Sequence, residues 1–570
     1  MKRSLALFAL LLRDYLAAVR PLPTRAILTA IVLLGLVLRV GWMVTEAPVI
    51  SSDGAEYARM AEHLLHDHAL VGNFEGPEII YGPLYPVLIA GTMLVIPNSE
   101  TAAHIVSLLS GTALIAIVFL IAQYVYGRRT AYICALLVAA HPLLVALSGS
   151  VYNEALYLTV LMAVVYWGLR ALELQRRRDC LLLGACLGLA YLTRVEAFVY
   201  VAFFVAALLT ASLLRKKARA AVIGSAIVVT AFFVVASPYV AFFYNHTGSL
   251  RLEAKWDMNY TMDRNRLAGM SGAEAEYGIE KDLTMKGAML APSEFADGTP
   301  YPHTLVDKLR TLVSMANYNK WTVYKDFLSS KMGSPILLGL IVLGLFRQPW
   351  SNRRVEHEAV LLVMAASIAF VVLTSGAAGF RYFLPIVPLL LLWAGKGIDE
   401  LRHWITRWEL VGSGRLSFPN LIAVTLQLCA VAPMIVLSAR GVQKEGLFVQ
   451  QRSSAALAAR DAALWLAHYE PGPKRIAVRH AMIPYYAKGT LIGLPYGDPE
   501  ATMRYVAAKN VDFIVLESAY PRLLPTIGKW IADGIPDARA RLIYDRTNAS
   551  GDRVVIYRWQ TGSGEDRHPS

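Results

Sequence analysis

Ser51-Ser52-Asp53-Gly54-Ala55-Glu56-Tyr57 follows the first long apolar run of the chain, and Tyr81-Gly82-Pro83-Leu84-Tyr85-Pro86 closes the polar segment that it opens. Asp53, Glu56 and Glu62 fall on one predicted helix. Its apolar positions, Tyr57, Met60, Ala61, Leu64 and Leu65, form one stripe suited to a membrane surface. Asp53-Gly54-Ala55-Glu56 reads as a capping box, with Asp53 as N-cap and Glu56 reaching back. It also reads as a general base at the membrane interface, and a carboxylate fixed at a helix start can do both.

Around this stretch the chain is mostly apolar helix. Of its 570 residues 56% are apolar, and the mean hydropathy is +0.45. The apolar residues come in long runs, and a bilayer core requires about 20 per helical span. The fold class is therefore an α-helical polytopic membrane protein. The formal charge of +13 sits in short clusters between runs, Arg128-Arg129, Arg176-Arg177-Arg178, Arg215-Lys216-Lys217 and Arg353-Arg354. That is the pattern of cytoplasmic loops, not of a nucleic-acid surface. Cys134, Cys180, Cys186 and Cys429 lie in or beside apolar runs and imply neither a disulfide framework nor a CxxC metal site.

Residues 1–25 read as an amphipathic helix on the cytoplasmic surface. Spans are expected near Ala26–Val44, His104–Tyr126, Thr130–Gly149, Glu154–Leu174, Cys180–Leu192, Ala197–Leu214, Arg219–Tyr244, Ser334–Phe346, Glu358–Thr374, Phe380–Ala394 and Leu421–Leu437, about eleven in all. If Tyr81–Pro97 crossed the membrane, every later basic cluster would fall outside; if it only dips into the outer leaflet, all fall inside. The second topology leaves the first loop (45–103), a lid loop (245–333) and a C-terminal domain on one external face. The transmembrane part then covers 26–440. Strand-like and helix-like runs over 441–560 predict a small α/β extracytoplasmic domain, and 561–570 a disordered tail.

Four basic residues oppose the charge bias: Arg194, Arg251, Lys255 and Arg381. Cations placed against topology point to a site. Arg381 opens a predicted helix, where backbone N–H groups also favour an anion; Arg194 can pair with Glu196. Tyr152-Asn153-Glu154 occupies another external turn, where Glu154 complements the helix dipole or joins a site. His63 and His66 share a helix face and His68 follows, but no second ligand pair accompanies them. Hence no cofactor is assigned, and a divalent metal is left open. Trp256-Asp257-Met258-Asn259-Tyr260 lies in the long loop read as a lid.

These motifs, in order, resemble the GT-C superfamily of membrane glycosyltransferases, in the branch of protein O-mannosyltransferases and the lipid A aminoarabinose transferase. The resemblance rests on Asp53 with Tyr57, Pro83-Leu84-Tyr85-Pro86, Tyr126-Gly127-Arg128-Arg129, Leu192-Thr193-Arg194-Val195-Glu196 and Phe380-Arg381-Tyr382-Phe383-Leu384-Pro385. It covers most of the membrane half. It implies transfer of a sugar from a polyprenyl-phosphate donor to a glycolipid, lipopolysaccharide, glycan or protein acceptor, with inversion. It also implies Asp53 as base, supported by Glu56, Tyr57, Glu154 and Tyr81, and the donor phosphate on Arg381, Arg194 and Lys255. The expected location is a bacterial inner membrane, with the site facing the periplasm. Such families often have a second acid directly after the first, where this chain has Gly54; either Glu56 substitutes for it or the acceptor differs. The competing class is a transporter or flippase of lipid-linked glycans; internal repeats would favour it, and none is evident.

Overall fold

The computed structural model describes residues 24–216, 218–248, 250, 252, 254–280, 282–283, 285, 305–327, 334–346, 350–374, 380–409, 418–444, 448, 451–519 and 525–560. The expected surface helix at 1–25 (but for its last two residues), the tail at 561–570 and Arg251 lie outside them.

Helix α1 (Thr24–Glu46) precedes the acidic helix α2 (Ser52–His66) and the short α3 (Leu84–Met93). Ten residues rise only about 15 Å, half a bilayer core, so α3 is too short to cross. Then come α4 (Ser99–Val125), α5 (Arg128–Ala140), α6 (Pro142–Gly149), α7 (Glu154–Leu174), α8 (Arg177–Thr193), α9 (Val199–Leu214) and α10 (Ala218–Thr247). The long loop contains α11 (Lys255–Leu267), α12 (Gly272–Tyr277) and α13 (Leu305–Phe327). Helices α14 (Ser334–Phe346), α15 (Asn352–Thr374), α16 (Phe380–Phe383), α17 (Val387–Glu409) and α18 (Phe418–Gln443) complete the membrane part.

Six helices are long and apolar enough to span, and a bent pair makes up to seven; four further apolar helices are shorter. These are counts among the described residues: of the eleven expected spans, seven fall on the long helices or the bent pair and three on shorter apolar helices, while Cys180–Leu192 falls in neither group. One expected span, Thr130–Gly149, is not straight: α5 and α6 meet at 55°. Pro142 cannot donate to the helix ladder and forces the break. Arg39, fully buried in α1, donates to the freed carbonyls of Ala139 (3.1 Å) and Val138 (3.3 Å), which hydrocarbon could not satisfy. Glycines set the closest packing: a Cβ on Gly344 of α14 would lie 2.2 Å from the Trp393 carbonyl of α17.

The C-terminal part begins with α19 (Ser454–Tyr469) and continues β1 (Arg475–Val478), α20 (Met482–Ala487), β2 (Thr490–Gly493), α21 (Pro499–Ala508), β3 (Phe513–Glu517), α22 (Pro525–Asp533), β4 (Ala540–Thr547) and β5 (Arg553–Trp559). Its five strands run in the order β2-β1-β3-β5-β4. The first three are parallel and β5 and β4 antiparallel. One face of the sheet shares a core with α2, α3, α19 and α20; the other packs α21 and α22. Polar contacts fasten the domain to the first loop. The Ala481 amide donates to Ser52 Oγ (3.1 Å), the Leu491 amide to the Asn73 carbonyl (2.6 Å), and Arg59 to the Pro484 and Tyr485 carbonyls. The predicted lid touches it too, through a Gly278–Tyr496 bridge. The long loop read from sequence as a lid holds helices α11, α12 and α13.

Candidate active site

Five chain segments converge at helix ends. Asp53 sits in the first turn of α2, but it is not the cap: Ser51 Oγ accepts from the Gly54 amide at 2.9 Å. The capping box expected on Asp53 is thereby corrected. Serine one residue outside the helix reaches the orphan amide, and Asp53 is left to face outward. Arg381 of α16 donates from Nη1 to Asp53 Oδ2 at 2.5 Å. The same guanidinium donates from Nη2 (2.6 Å) and Nε (2.8 Å) to Glu154 Oε1 at the start of α7, and lies 4.9 Å above the Tyr152 ring. Arg194, at the end of α8, donates to Glu196 (2.6 Å) and pairs with Glu154 at 3.4 Å. Arg194 and Lys255 then meet over one ring, that of Tyr382, at 5.0 and 5.8 Å from its centroid.

The electrostatics follow from this chain of charges. Burial pushes the Asp53 carboxyl up, but Arg381 above all, with Lys255 and Arg194, holds it below its ordinary value. Glu154 is 2% exposed whereas Asp53 and Arg381 are each 29% exposed, so a ligand can reach the latter two. Asp53 and Glu154 also sit at helix N-termini and Arg194 at a C-terminus, where the dipoles favour their charges.

Gly54 has a packing reason. A Cβ there would meet the Val151 carbonyl and Ser51 Oγ at 2.8 Å, so no second acid fits. The second carboxylate beside Asp53 comes from Glu154 instead. Glu56, the candidate substitute, is buried and turned elsewhere: its two oxygens accept from the Asn73 amide (2.8 Å) and Nδ2 (2.9 Å). Burial, offset in part by these bonds and Arg59, pushes its carboxyl up to about 7. Tyr57 packs edge-on between Tyr81 and Tyr85 at 5.3 and 5.1 Å, bracing α2 against the segment that leads into α3. His63 pairs with Asp67 at 2.6 Å. Among the described residues, no three His, Cys, Asp or Glu side chains are grouped to hold a metal ion.

Two clefts open on this cluster. One has a volume of about 360 Å³ and is lined by Ser52, Asp53, Tyr152 and Arg381 together with Gln451, His480, Met482 and Glu517 of the C-terminal part. The other, of about 140 Å³, is lined by Lys255, Glu196 and Tyr382 and by the apolar Phe198, Val199, Leu312, Phe370 and Val371. Arg381, which lines the first cleft, is joined through Glu154 to Arg194, and Arg194 to Glu196 of the second. Sequence reasoning did not single out Tyr382, Gln451, His480 or Glu517. Tyr382 was within reach, since it adjoins Arg381; the other three carry no local signal.

Residues 80–242, 163 of the 570, match the family model described as dolichyl-phosphate-mannose-protein mannosyltransferase. No curated protein matches the sequence. Among solved structures, the oligosaccharyltransferase AglB from Archaeoglobus fulgidus, in complex with an inhibitory peptide and a dolichol-phosphate, superposes with a TM-score of 0.60 at 13% identity. The match covers 93% of this chain and 74% of that one. ArnT from Cupriavidus metallidurans, bound to undecaprenyl phosphate, gives 0.54 at 15% identity, covering 93% and 97%. The fold is thus shared with these proteins along almost the whole length of this chain.

Proposed function

We propose that this chain, which has the fold of the GT-C membrane glycosyltransferases, transfers a sugar from a polyprenyl-phosphate donor to an acceptor outside the cytoplasm. The observation that carries the proposal is the Asp53–Arg381–Glu154–Arg194–Glu196 chain of ion pairs, which links a cleft lined by Asp53 and Arg381 to a largely apolar one lined by Glu196 and Lys255. The apolar cleft suits the prenyl chain, with its phosphate at Lys255, Arg194 and Arg381. The other cleft suits the acceptor, with its hydroxyl at Asp53.

The pairing of Asp53 with Arg381 has a consequence for the chemistry. A carboxylate held by an arginine is a weak base. A donor phosphate competes for the same guanidinium, whose fork suits two phosphate oxygens. Drawing Arg381 onto the phosphate frees Asp53 and raises its basicity when the donor is present. The acceptor oxygen then attacks the anomeric carbon, its proton passes to Asp53, and the anomeric C–O bond breaks. The electron pair leaves on the lipid phosphate, where Arg381, Arg194 and Lys255 stabilise the growing charge. A single direct displacement of the lipid phosphate by the acceptor oxygen inverts the anomeric carbon. The chain is an integral membrane protein, and the proposed setting is a bacterial inner membrane with this face periplasmic. The acceptor is a glycolipid, a lipopolysaccharide or a protein.

The test is turnover of purified protein in detergent with undecaprenyl-phosphate sugars and an envelope glycolipid fraction, read by mass spectrometry. Sugar transfer that depends on Asp53 is expected. Binding of donor without any transfer to any envelope fraction would overturn the proposal.

A further inference from the structure

The sheet order β2-β1-β3 makes a switch point. The chain leaves β1 for β2 on one side and returns to β3 on the other, and the connecting helices α20 and α21 pack on opposite faces. Open α/β sheets bind ligands in the crevice outside the carboxyl ends of strands at such a point. His480 follows the carboxyl end of β1, and Glu517 is the last residue of β3. Both line the cleft that contains Asp53. His480 Nε2 lies 3.4 Å from Glu517 Oε1, which accepts no hydrogen bond among the described residues although Glu517 is 6% exposed. Gln451 completes the wall. It is 2% exposed, and neither its amide oxygen nor its nitrogen has a hydrogen-bond partner among the described residues. A buried primary amide without partners costs free energy on the order of 1–3 kcal/mol per group unless a ligand supplies them.

We infer that this crevice is a sugar-binding subsite, in which Gln451, His480 and Glu517 hold the acceptor's hydroxyls while Asp53 faces the one that reacts. The inference rests on the function proposed above. An amide that donates and accepts, beside a carboxylate–imidazole pair, matches neighbouring hydroxyls of a pyranose. Met482, Ala455 and Ala456 offer an apolar floor to its C–H face. A peptide acceptor is less suited, because extended peptides are read along a strand edge, and this cleft lies at strand ends. The volume, about 360 Å³, falls within the range of roughly 300–1,000 Å³ usual for small-ligand sites.

The test is saturation-transfer NMR on the full chain in detergent. The probes are methyl hexopyranosides, a Ser/Thr-containing acetylated peptide, undecaprenyl phosphate and a short-chain prenyl-phosphate hexose. Glycosides should receive saturation, and the signal should fall about five- to tenfold in Gln451→Leu and in the near-isosteric Glu517→Gln, the worth of one or two hydrogen bonds. Undecaprenyl phosphate and the prenyl-phosphate hexose should bind both variants as they bind the parent. Equal glycoside signals in parent and variants would overturn the inference, as would saturation of the peptide alone. Weaker binding of the prenyl-phosphate hexose to the variants would assign the crevice to the donor's sugar and overturn it too. If Gln451→Leu fails to fold, Glu517→Gln decides. Glycoside binding without transferase activity would leave this subsite standing and remove the function proposed above, so the two fail separately.

Discussion

Arg381 donates to Asp53 at 2.5 Å across 328 positions of sequence, and it does so with a guanidinium whose other two nitrogens are already committed to Glu154. One cation therefore sets both the position and the basicity of the proposed base.

Asp53→Asn keeps the size of the side chain and leaves the cap intact, since Ser51 caps α2. Melting temperature should change little, whereas transfer should fall by about two to four orders of magnitude, the usual worth of a general base. Turnover and thermal unfolding of the same preparation check this, and turnover within a few-fold of the parent would remove Asp53 from catalysis.

Arg381→Lys keeps the charge but cannot span two carboxylates and a phosphate with a planar fork. Partial transfer is expected from Arg381→Lys and none from Arg381→Ala, with undecaprenyl-phosphate affinity falling in the same order. Lys255→Gln, which leaves the Asp53 pair untouched, should weaken donor binding several-fold and make it less sensitive to salt. Donor titrations at two ionic strengths separate these effects; an unchanged affinity in all three variants would place the phosphate elsewhere.

Gly54→Ala puts a methyl group 2.8 Å from the Val151 carbonyl. Backbone must move, at a cost of about 1–3 kcal/mol, and the move displaces Asp53 from Arg381. Both a lower melting temperature and a larger loss of turnover are expected, with rescue by neither Asp nor Glu at position 54.

Glu78 gives a pH dependence of stability. Burial, and then the neighbouring Glu56, push its carboxyl from 4.5 up to about 8. An acid whose folded value is raised is more protonated in the folded state than in the unfolded one. Its favourable contribution is therefore complete below about pH 4.5 and is lost as pH rises through about 8. Glu78→Gln still accepts from the Ile80 and Tyr81 amides that Glu78 Oε1 binds at 2.7 and 3.1 Å. The variant should melt higher than the parent at pH 8.5 and nearly level with it at pH 4.5; a constant difference across that range would show that the carboxyl does not titrate there.

Amino-acid order alone determined the membrane class, because burial in hydrocarbon demands long apolar helices and these are visible one run at a time. It also pointed to the acidic loop and to Arg194, Lys255 and Arg381, because a charge beside an apolar run stands out without any partner. What each charge touches was decided only by tertiary structure. Glu56 and Glu154 look equivalent in sequence, yet Asn73 takes the first into the core and Arg381 takes the second into the cluster. Ser51 displaced Asp53 as cap through a two-residue difference in where α2 begins. The crevice of Gln451, His480 and Glu517 had no sequence signal at all. It exists because a switch in strand order brings the ends of β1 and β3 together, and because the packing of the sheet on α2 aims them at Asp53.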